Sequence, residues 1–242
     1  MRRRWSRRRR PSAIAEQPGR ALGPDRALAL SYVPAAARGG VAALFLVDAA
    51  MADVVRTTRE PMLGPIRLAW WRERLEELDG GGGAPAEPRL QQVERELLPR
   101  GISGHDVAGL EPGWLRLFDQ FPWGSETGEA VWLRGNLLFG LGARLLGERS
   151  EPLQAAGGLW ALVDVARHCS DAASREMLLK QARGFATKLG GARFGSKLRP
   201  LSMLAALAIR DCRRGEPMEA EGTPGRAAAM LRHRLGGRLP RP

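Results

Sequence analysis

The chain has 242 residues, enough for one domain with a substantial core, and its two cysteines form no CxxC pair. This composition argues against a disulfide scaffold or a structural zinc site and is compatible with a reducing cytosol. The formal charge of +12 suggests nucleic acid, but residues 1–10 hold seven arginines and no acid, which leaves 31 basic and 26 acidic residues, or +5, elsewhere. Specific nucleic-acid binding is therefore not expected.

The excess charge lies in residues 1–23, a segment rich in arginine, proline and small residues that we predict to be a disordered basic arm. The arm lacks the apolar region of a secretory signal. It could touch anionic lipid or RNA through nonspecific phosphate contacts, or it is an extension without a role of its own. No apolar run approaches the roughly 20 residues of a membrane span, so we expect no integral membrane helix.

The remaining chain predicts a succession of helices, because alanine, leucine, arginine and glutamate dominate and no period-two pattern persists. We expect a single all-α domain over residues 24–236, followed by a disordered tail at 237–242. Asp25 is a candidate cap of the first helix, and the second begins at Ala35 or, if Gly39-Gly40 weakens it, near Val41. The predicted helices are Arg26–Tyr32, Ala35–Thr57, Pro61–Leu78, Arg89–Leu98, Ser103–Leu110, Gly113–Phe121, Glu126–Leu146, Leu153–Ser170, Ala172–Leu189, Leu198–Arg213 and Thr223–Leu235.

The third predicted helix contains adjacent tryptophans, Trp70 and Trp71, between Arg67 and Arg72. Guanidinium groups beside aromatic rings suit an anionic partner such as a carboxylate or a diphosphate. Spacing alone favours the simpler reading of a core helix with solvated arginines. On the preceding helix, Asp48 interrupts an apolar stripe, so its carboxylate must face a cavity or pair with a cation such as Arg67 or Arg72.

Two later helices carry further patterns. Asp164, His168 and Asp171 stand at positions i, i+4 and i+7, which places three polar groups on one face of an apolar helix. They could hold a divalent cation, or form a structural stripe in which Asp171 caps the next helix. Before them, glycines 128, 135 and 142 repeat every seven residues, which indicates close approach of a neighbouring helix.

These residues together resemble the squalene/phytoene synthase family. The resemblance covers roughly residues 24–235 and rests on these segments: 25–34, Arg38, 42–45, 60–61, 63–72, 157–171 and 198–201. It implies an isoprenoid synthase-like helical bundle around a central cavity. Active members condense two prenyl diphosphates head to head, with Mg²⁺ held by two aspartate-rich motifs.

The first of those motifs is degenerate here. Aligned on residues 43–45, its aspartates would fall at Met51 and Val55. Asp48 and Asp53 are near, but five residues turn a helix by about 140°, so these two carboxylates do not converge on one ion.

The second motif is also altered. It becomes Arg167-His-Cys-Ser-Asp171-Ala172, with His168 in an aspartate position, and residues 173–177 replace the expected Gly-Arg-x-Tyr-x-Pro segment. Such changes resemble the branch of the family that has lost its motifs and includes a mitochondrial complex I assembly factor.

Three hypotheses follow. The first is a non-catalytic binding or respiratory-complex assembly-type factor without a cofactor, cytoplasmic and peripheral on the inner membrane, with an isoprenoid, a membrane surface or a respiratory-complex subunit as partner. The second is an active Mg²⁺-dependent prenyltransferase, and the third is a basic RNA- or membrane-associated protein acting through its arm. If the chain is active, the candidate metal ligands are Asp48, Asp53, Asp164 and Asp171. The candidate diphosphate-binding residues are Arg38, Arg67, Arg72 and Arg167. The candidate cavity-lining residues are Trp70, Trp71 and His168.

Overall fold

The computed structural model describes residues 22–60 and 62–241, and the helices in them confirm the all-α prediction. These residues contain no strand, only one isolated antiparallel bridge between Arg193 and Arg238. The helices in chain order are α1 (Pro24–Ser31), α2 (Ala35–Thr57), α3 (Leu63–Glu77), α4 (Pro88–Glu96), α5 (Gly104–Ala108), α6 (Glu111–Leu115), α7 (Ser125–Leu145), α8 (Glu151–His168), α9 (Ala172–Leu189), α10 (Arg199–Arg214) and α11 (Pro224–Gly236).

The core forms around two helices, α2 and α8, whose residues are buried on nearly every side. α8 packs against α7, α9 and α10, while α2 lies against α4 and α7. α2 begins at Ala35, so Gly39-Gly40 does not delay its start. Asp25 does not cap α1, because it lies inside the first turn. The predicted helix over 113–121 is instead the short α6 followed by a 3₁₀ turn at Arg116–Phe118.

The predicted close helix approach is confirmed where α7 crosses α8. A Cβ atom added to Gly135 would overlap the backbone oxygen of Gly157, and one added to Gly157 would overlap the oxygen of Gly135. Only glycine at both positions lets the two backbones meet in this way. This contact sets the spacing of the two helices that carry Arg134 and Asp164.

One helix differs from the expectation that no segment could span a membrane. By length and composition α2 is apolar enough to cross one, but 78% of its most apolar 18-residue window is buried inside the bundle. A core helix meets the same criterion, so α2 by itself is weak support for a span.

The ends of the domain differ from the predicted boundaries. Residues 1–21, most of the predicted arm, lie outside the described residues, and Leu22 is buried in the core. Residues 237–241, predicted as part of a disordered tail, are packed: Leu239 is buried and its amide donates to the oxygen of Ala192 at 2.9 Å. A single leucine among arginines and prolines supplies this anchor, which is too small a pattern to recognise in the sequence.

Candidate functional site

Asp48 lies at the centre of the bundle and is fully buried. Its carboxylate accepts hydrogen bonds from Arg134 Nη1 at 2.6 Å, from the indole Nε1 of Trp114 at 3.0 Å and from Arg26 Nη1 at 3.2 Å. These donors come from α7, α6 and α1, so three helices converge on one aspartate of α2. A buried carboxylate requires such partners, because an unpaired charge in the core is strongly unfavourable.

Asp164 of α8 faces the same interior. Arg26 Nη2 lies 3.4 Å from both of its carboxylate oxygens, and Arg134 Nη2 lies 3.8 Å from Oδ2. Arg26 and Arg134 therefore bridge Asp48 to Asp164. We call Asp48, Asp164, Arg26 and Arg134 the ion cluster.

Aromatic rings cover the arginines of the ion cluster. The guanidinium carbon of Arg134 lies 3.8 Å from the ring centre of Trp114, and that of Arg26 lies 5.0 Å from the ring centre of Trp160. Both geometries are favourable cation–π contacts between buried groups. Arg134 is completely buried, and its Nε and Nη2 atoms have no hydrogen-bond partner among the described residues.

The charge states of the ion cluster follow from these contacts. Burial alone would raise the pKa of Asp164, but the positive charges of Arg26 and Arg134 outweigh burial and hold that pKa below its usual value. Burial would lower the pKa of Arg26, but Asp164 and Asp48 outweigh burial and raise it. With two guanidinium groups and two carboxylates, the ion cluster has a net charge of zero.

A cavity of about 280 Å³ adjoins the ion cluster, and we call it the apolar pocket. Arg26 and Asp164 of the ion cluster line it together with His168. Its other walls are mainly apolar, formed by Ala52, Val55, Trp114, Leu117, Phe121, Trp123 and Val165, and Arg56, Cys169 and Ser170 also line it. The family resemblance places Val55 and His168 at aspartate positions of the two motifs, and both line the pocket, whereas Met51, the other aspartate position of the first motif, does not.

The arginines predicted to bind a diphosphate do not gather at this pocket. Arg67 is exposed and donates to Thr58 Oγ1 at 2.9 Å, and exposed Arg72 lies 3.8 Å from Glu73. Asp48 was expected to face a cavity or to pair with a cation such as Arg67 or Arg72. It does pair with arginines, but neither of these two is its partner. Arg38 binds the backbone oxygen of Val33 at 2.9 Å through its Nη2.

The remaining predicted arginine, Arg167, has a structural role. It donates to Asp211 Oδ2 at 2.6 Å, and Asp211 also accepts from Arg226 Nη1 at 2.6 Å. Arg226 Nε in turn donates to Asp25 Oδ2 at 2.7 Å. This chain of ion pairs ties α8, α10, α11 and α1 together behind the ion cluster.

Two predicted metal ligands lie elsewhere. Asp53 is about half exposed and pairs with Arg56 on the surface of α2. Asp171 caps α9, accepting from the backbone N of Ser174 at 2.8 Å and from its hydroxyl at 2.7 Å. In the part of the chain that the structure describes, no group of three or more His, Cys, Asp or Glu side chains is arranged to hold a metal ion.

Of the three residues that were predicted to line a cavity, one lines the apolar pocket and two do not. His168 lines the apolar pocket, and its Nδ1 hydrogen-bonds the backbone oxygen of Asp164 at 2.8 Å. Trp71 is buried in the core and Trp70 is 41% exposed; the two rings meet edge to face, and neither lines the pocket. The simpler interpretation of the tryptophan pair as packing therefore holds for Trp71.

Three partners of the aspartates were not predicted from the sequence: Arg26, Arg134 and Trp114. Arg26 stands within a segment that carries the family resemblance, which was one available signal. Arg134 lies on an apolar helix one residue before Gly135, where a charged side chain must be buried beside the close helix crossing. A lone arginine in such a place is a signal for a buried acidic partner.

The family model described as squalene/phytoene synthase matches residues 20–103. This segment contains α1, α2, α3 and α4, and so includes Arg26 and Asp48 of the ion cluster. No curated protein and no solved structure gives a significant match to the chain. Residues 20–103, about a third of the chain, are therefore similar to the squalene/phytoene synthase family.

Proposed function

We propose that this chain is a non-catalytic squalene/phytoene synthase family protein, which binds one isoprenoid-like ligand and serves as a binding or respiratory-complex assembly-type factor. One observation carries the proposal: both aspartates of the ion cluster, Asp48 and Asp164, are paired with buried arginines of the same chain.

The Mg²⁺ of active relatives does not fit these residues. Mg²⁺ requires near-octahedral oxygen ligands at about 2.0–2.1 Å. Asp48 already accepts three hydrogen bonds, and a cation beside it would approach the buried positive charges of Arg26 and Arg134. Because Val55 and His168 replace motif carboxylates, the pocket offers no further acidic oxygen to offset that repulsion.

The apolar pocket supports binding of a single ligand. Its volume of about 280 Å³ is just below the range of about 300–1,000 Å³ for small-molecule sites, so it has room for one small ligand at most. A head-to-head condensation needs two prenyl diphosphates side by side, which this volume does not provide. One isoprenoid chain would contact Leu117, Phe121 and Trp123, and its burial would supply the affinity.

Ligand binding is testable with farnesol, an isoprenoid alcohol without a diphosphate. In equilibrium dialysis, we expect the full chain to bind farnesol and Val55→Phe to weaken binding at least about tenfold, because the new ring fills the pocket. Ala36→Phe, an exposed position on the same helix, is the control and should bind as the wild type does.

A second variant, Phe121→Ala, should also weaken farnesol binding. It removes a wall of the pocket without adding volume, so it replaces Val55→Phe if a thermal melt shows that variant to be unstable. Absence of farnesol binding, or binding unchanged in both pocket variants, would contradict the proposal.

For location we propose the cytoplasmic side of the inner membrane, with peripheral contact to the membrane or to a respiratory-complex subunit. The supporting surface is an exposed apolar stripe on and just before α3, formed by Met62, Leu63, Ile66 and Trp70. An exposed patch of this kind, with a tryptophan beside aliphatic side chains, marks a contact site for a protein or a membrane.

Vesicle flotation and native-gel comigration with respiratory complexes test this location. Ile66→Ser combined with Trp70→Ser should reduce either association, while Leu133→Ser combined with Leu231→Ser, which removes two other exposed leucines, should not. Equal association of both double variants would contradict the location.

A further inference from the structure

A groove of about 600 Å³ lies between α10, α11 and the C-terminal residues 238–241. We call it the arginine groove. It shares no lining residue with the apolar pocket. Its floor includes small or apolar side chains such as Ala206, Ala229 and Leu239, and nothing in the proposed function uses it.

Positive charge dominates the groove. Arg213, Arg232, Arg238 and Arg241 are exposed and line it, and none of its lining residues is acidic. A further lining arginine, Arg210, is half-buried and pairs with Glu219, which is not a lining residue, at 2.9 Å. Arg213, Arg232 and Arg241 form no ion pair with any described residue.

The backbone that carries two of these arginines is fixed in place. Leu239 lies between Arg238 and Arg241 and is buried. The amide of Gly191 donates to the oxygen of Leu239 at 3.2 Å, and that of Phe194 donates to the oxygen of Gly237 at 2.8 Å. The segment therefore holds its arginines beside α10 and α11, rather than on a free end.

The buried side chain of His233 connects the three walls of the groove, which are α10, α11 and the C-terminal segment. The Nε2 of His233 on α11 shares a 2.8 Å hydrogen bond with Ser202 Oγ of α10, and its Nδ1 lies 3.1 Å from the backbone oxygen of Arg238. Burial lowers the pKa of His233, so this residue joins the walls without adding charge at neutral pH. Like charges held together by a rigid frame repel one another, and a bound anion relieves that repulsion.

We propose that the arginine groove binds a ligand carrying two adjacent phosphate groups. A phosphate monoester has a charge of about −1.5 to −2 at neutral pH, so a single phosphate group leaves about half of the charge of the four exposed arginines unbalanced. The planar guanidinium group also matches phosphate oxygens in a bidentate fashion. The phosphates come either from a soluble diphosphate compound or from neighbouring anionic lipid headgroups.

The test uses the full chain and inorganic pyrophosphate in isothermal titration calorimetry. The variant combines Arg232→Gln with Arg241→Gln, two exposed side chains whose loss should leave the fold intact. The matched control combines Arg59→Gln with Arg149→Gln, which are also exposed, form no ion pair with a described residue and remove the same charge.

We expect the groove variant to weaken pyrophosphate binding at least about tenfold, because charge-assisted hydrogen bonds are lost, and the control to bind as the wild type does. Inorganic phosphate should bind more weakly than pyrophosphate.

Vesicles of phosphatidylcholine with and without phosphatidylglycerol separate the two phosphate sources. If the chain binds the anionic vesicles, if pyrophosphate displaces it from them and if the groove variant does not bind them, the phosphates come from lipid headgroups. If the chain binds pyrophosphate but not the vesicles, the ligand is a soluble compound. Equal pyrophosphate affinity in the groove and control variants overturns the proposal. So does binding of a single-stranded RNA oligonucleotide by a chain that binds neither pyrophosphate nor vesicles.

Discussion

The contacts of the ion cluster predict how much stability the fold loses when Arg134 is replaced. Replacing it with methionine keeps the apolar stem but leaves Asp48 and Asp164 with only Arg26, so the buried site has a net charge of −1. Removing one partner of a buried ion pair typically costs about 3–5 kcal/mol, and the lost cation–π contact with Trp114, 3.8 Å away, acts in the same direction. At roughly 2–4 °C per kcal/mol for a chain of this size, Tm should fall by about 6–20 °C.

A double-mutant cycle isolates the electrostatic part of this effect. Adding Asp48→Asn to Arg134→Met restores a neutral site, because Arg26 and Asp164 then remain as one pair. The double variant should therefore lose less free energy of unfolding than the sum of the single variants, by about 0.5–3 kcal/mol. Urea unfolding followed by circular dichroism measures all four proteins.

The matched control is Arg56→Met, which breaks the exposed pair with Asp53 and should cost no more than about 1 kcal/mol. A loss for Arg134→Met as small as this control, or strict additivity in the cycle, would refute the reasoning that the ion cluster is a closed, neutral unit.

Three further predictions concern stability. Gly157→Ala should destabilise the fold by about 1–3 kcal/mol, because its Cβ would overlap the oxygen of Gly135, whereas Gly184→Ala, with no atom within 4 Å of the added Cβ, should stabilise it by about 0.4–1 kcal/mol in urea unfolding. Burial lowers the pKa of His233 below 6.5, so the stability that depends on its neutral form is complete above pH 6.5 and is lost as the pH falls through the lowered pKa; a thermal-melt pH series should show this slope, and His233→Asn should flatten it. Asp171→Ala should cost about 1 kcal/mol by removing the cap of α9, whether or not Mg²⁺ is present; stabilisation of wild type, but not this variant, by Mg²⁺ would instead indicate a metal ligand.

Helical periodicity was sufficient to predict the fold class and most helix positions. The long helices α2, α7, α8 and α9 have strong apolar patterns, and their ends were predicted to within about two residues. The short helices were less accurate, because glycine and proline near α5 and α6 mark breaks without specifying whether a 3₁₀ turn follows. The glycine repeat succeeded at Gly135, where close backbone approach leaves no room for a side chain.

The site was harder to predict because its contacts are distant in sequence. Asp48 was correctly predicted to need a partner, but Arg134 lies 86 residues away and Arg26 lies 22 residues before it. The nearer arginines, Arg67 and Arg72, are both exposed to solvent. Periodicity identifies which face of a helix is buried but not which buried faces meet.

The most direct test of the central claim is the condensation reaction itself. Purified full-length chain is incubated with Mg²⁺ and farnesyl or geranylgeranyl diphosphate, and extracted hydrocarbons are measured by gas chromatography with mass spectrometry. Arg26 and Arg134 pair with the carboxylates of Asp48 and Asp164. Removal of even one electrostatic partner of a transition state costs about 10²–10³ in rate. We therefore expect no squalene, phytoene or cyclopropyl precursor above a heat-inactivated control. The claim that the chain is non-catalytic would be contradicted if any of these products formed only in the presence of Mg²⁺. In that case Asp164→Ala should abolish product formation and Ala36→Phe should preserve it.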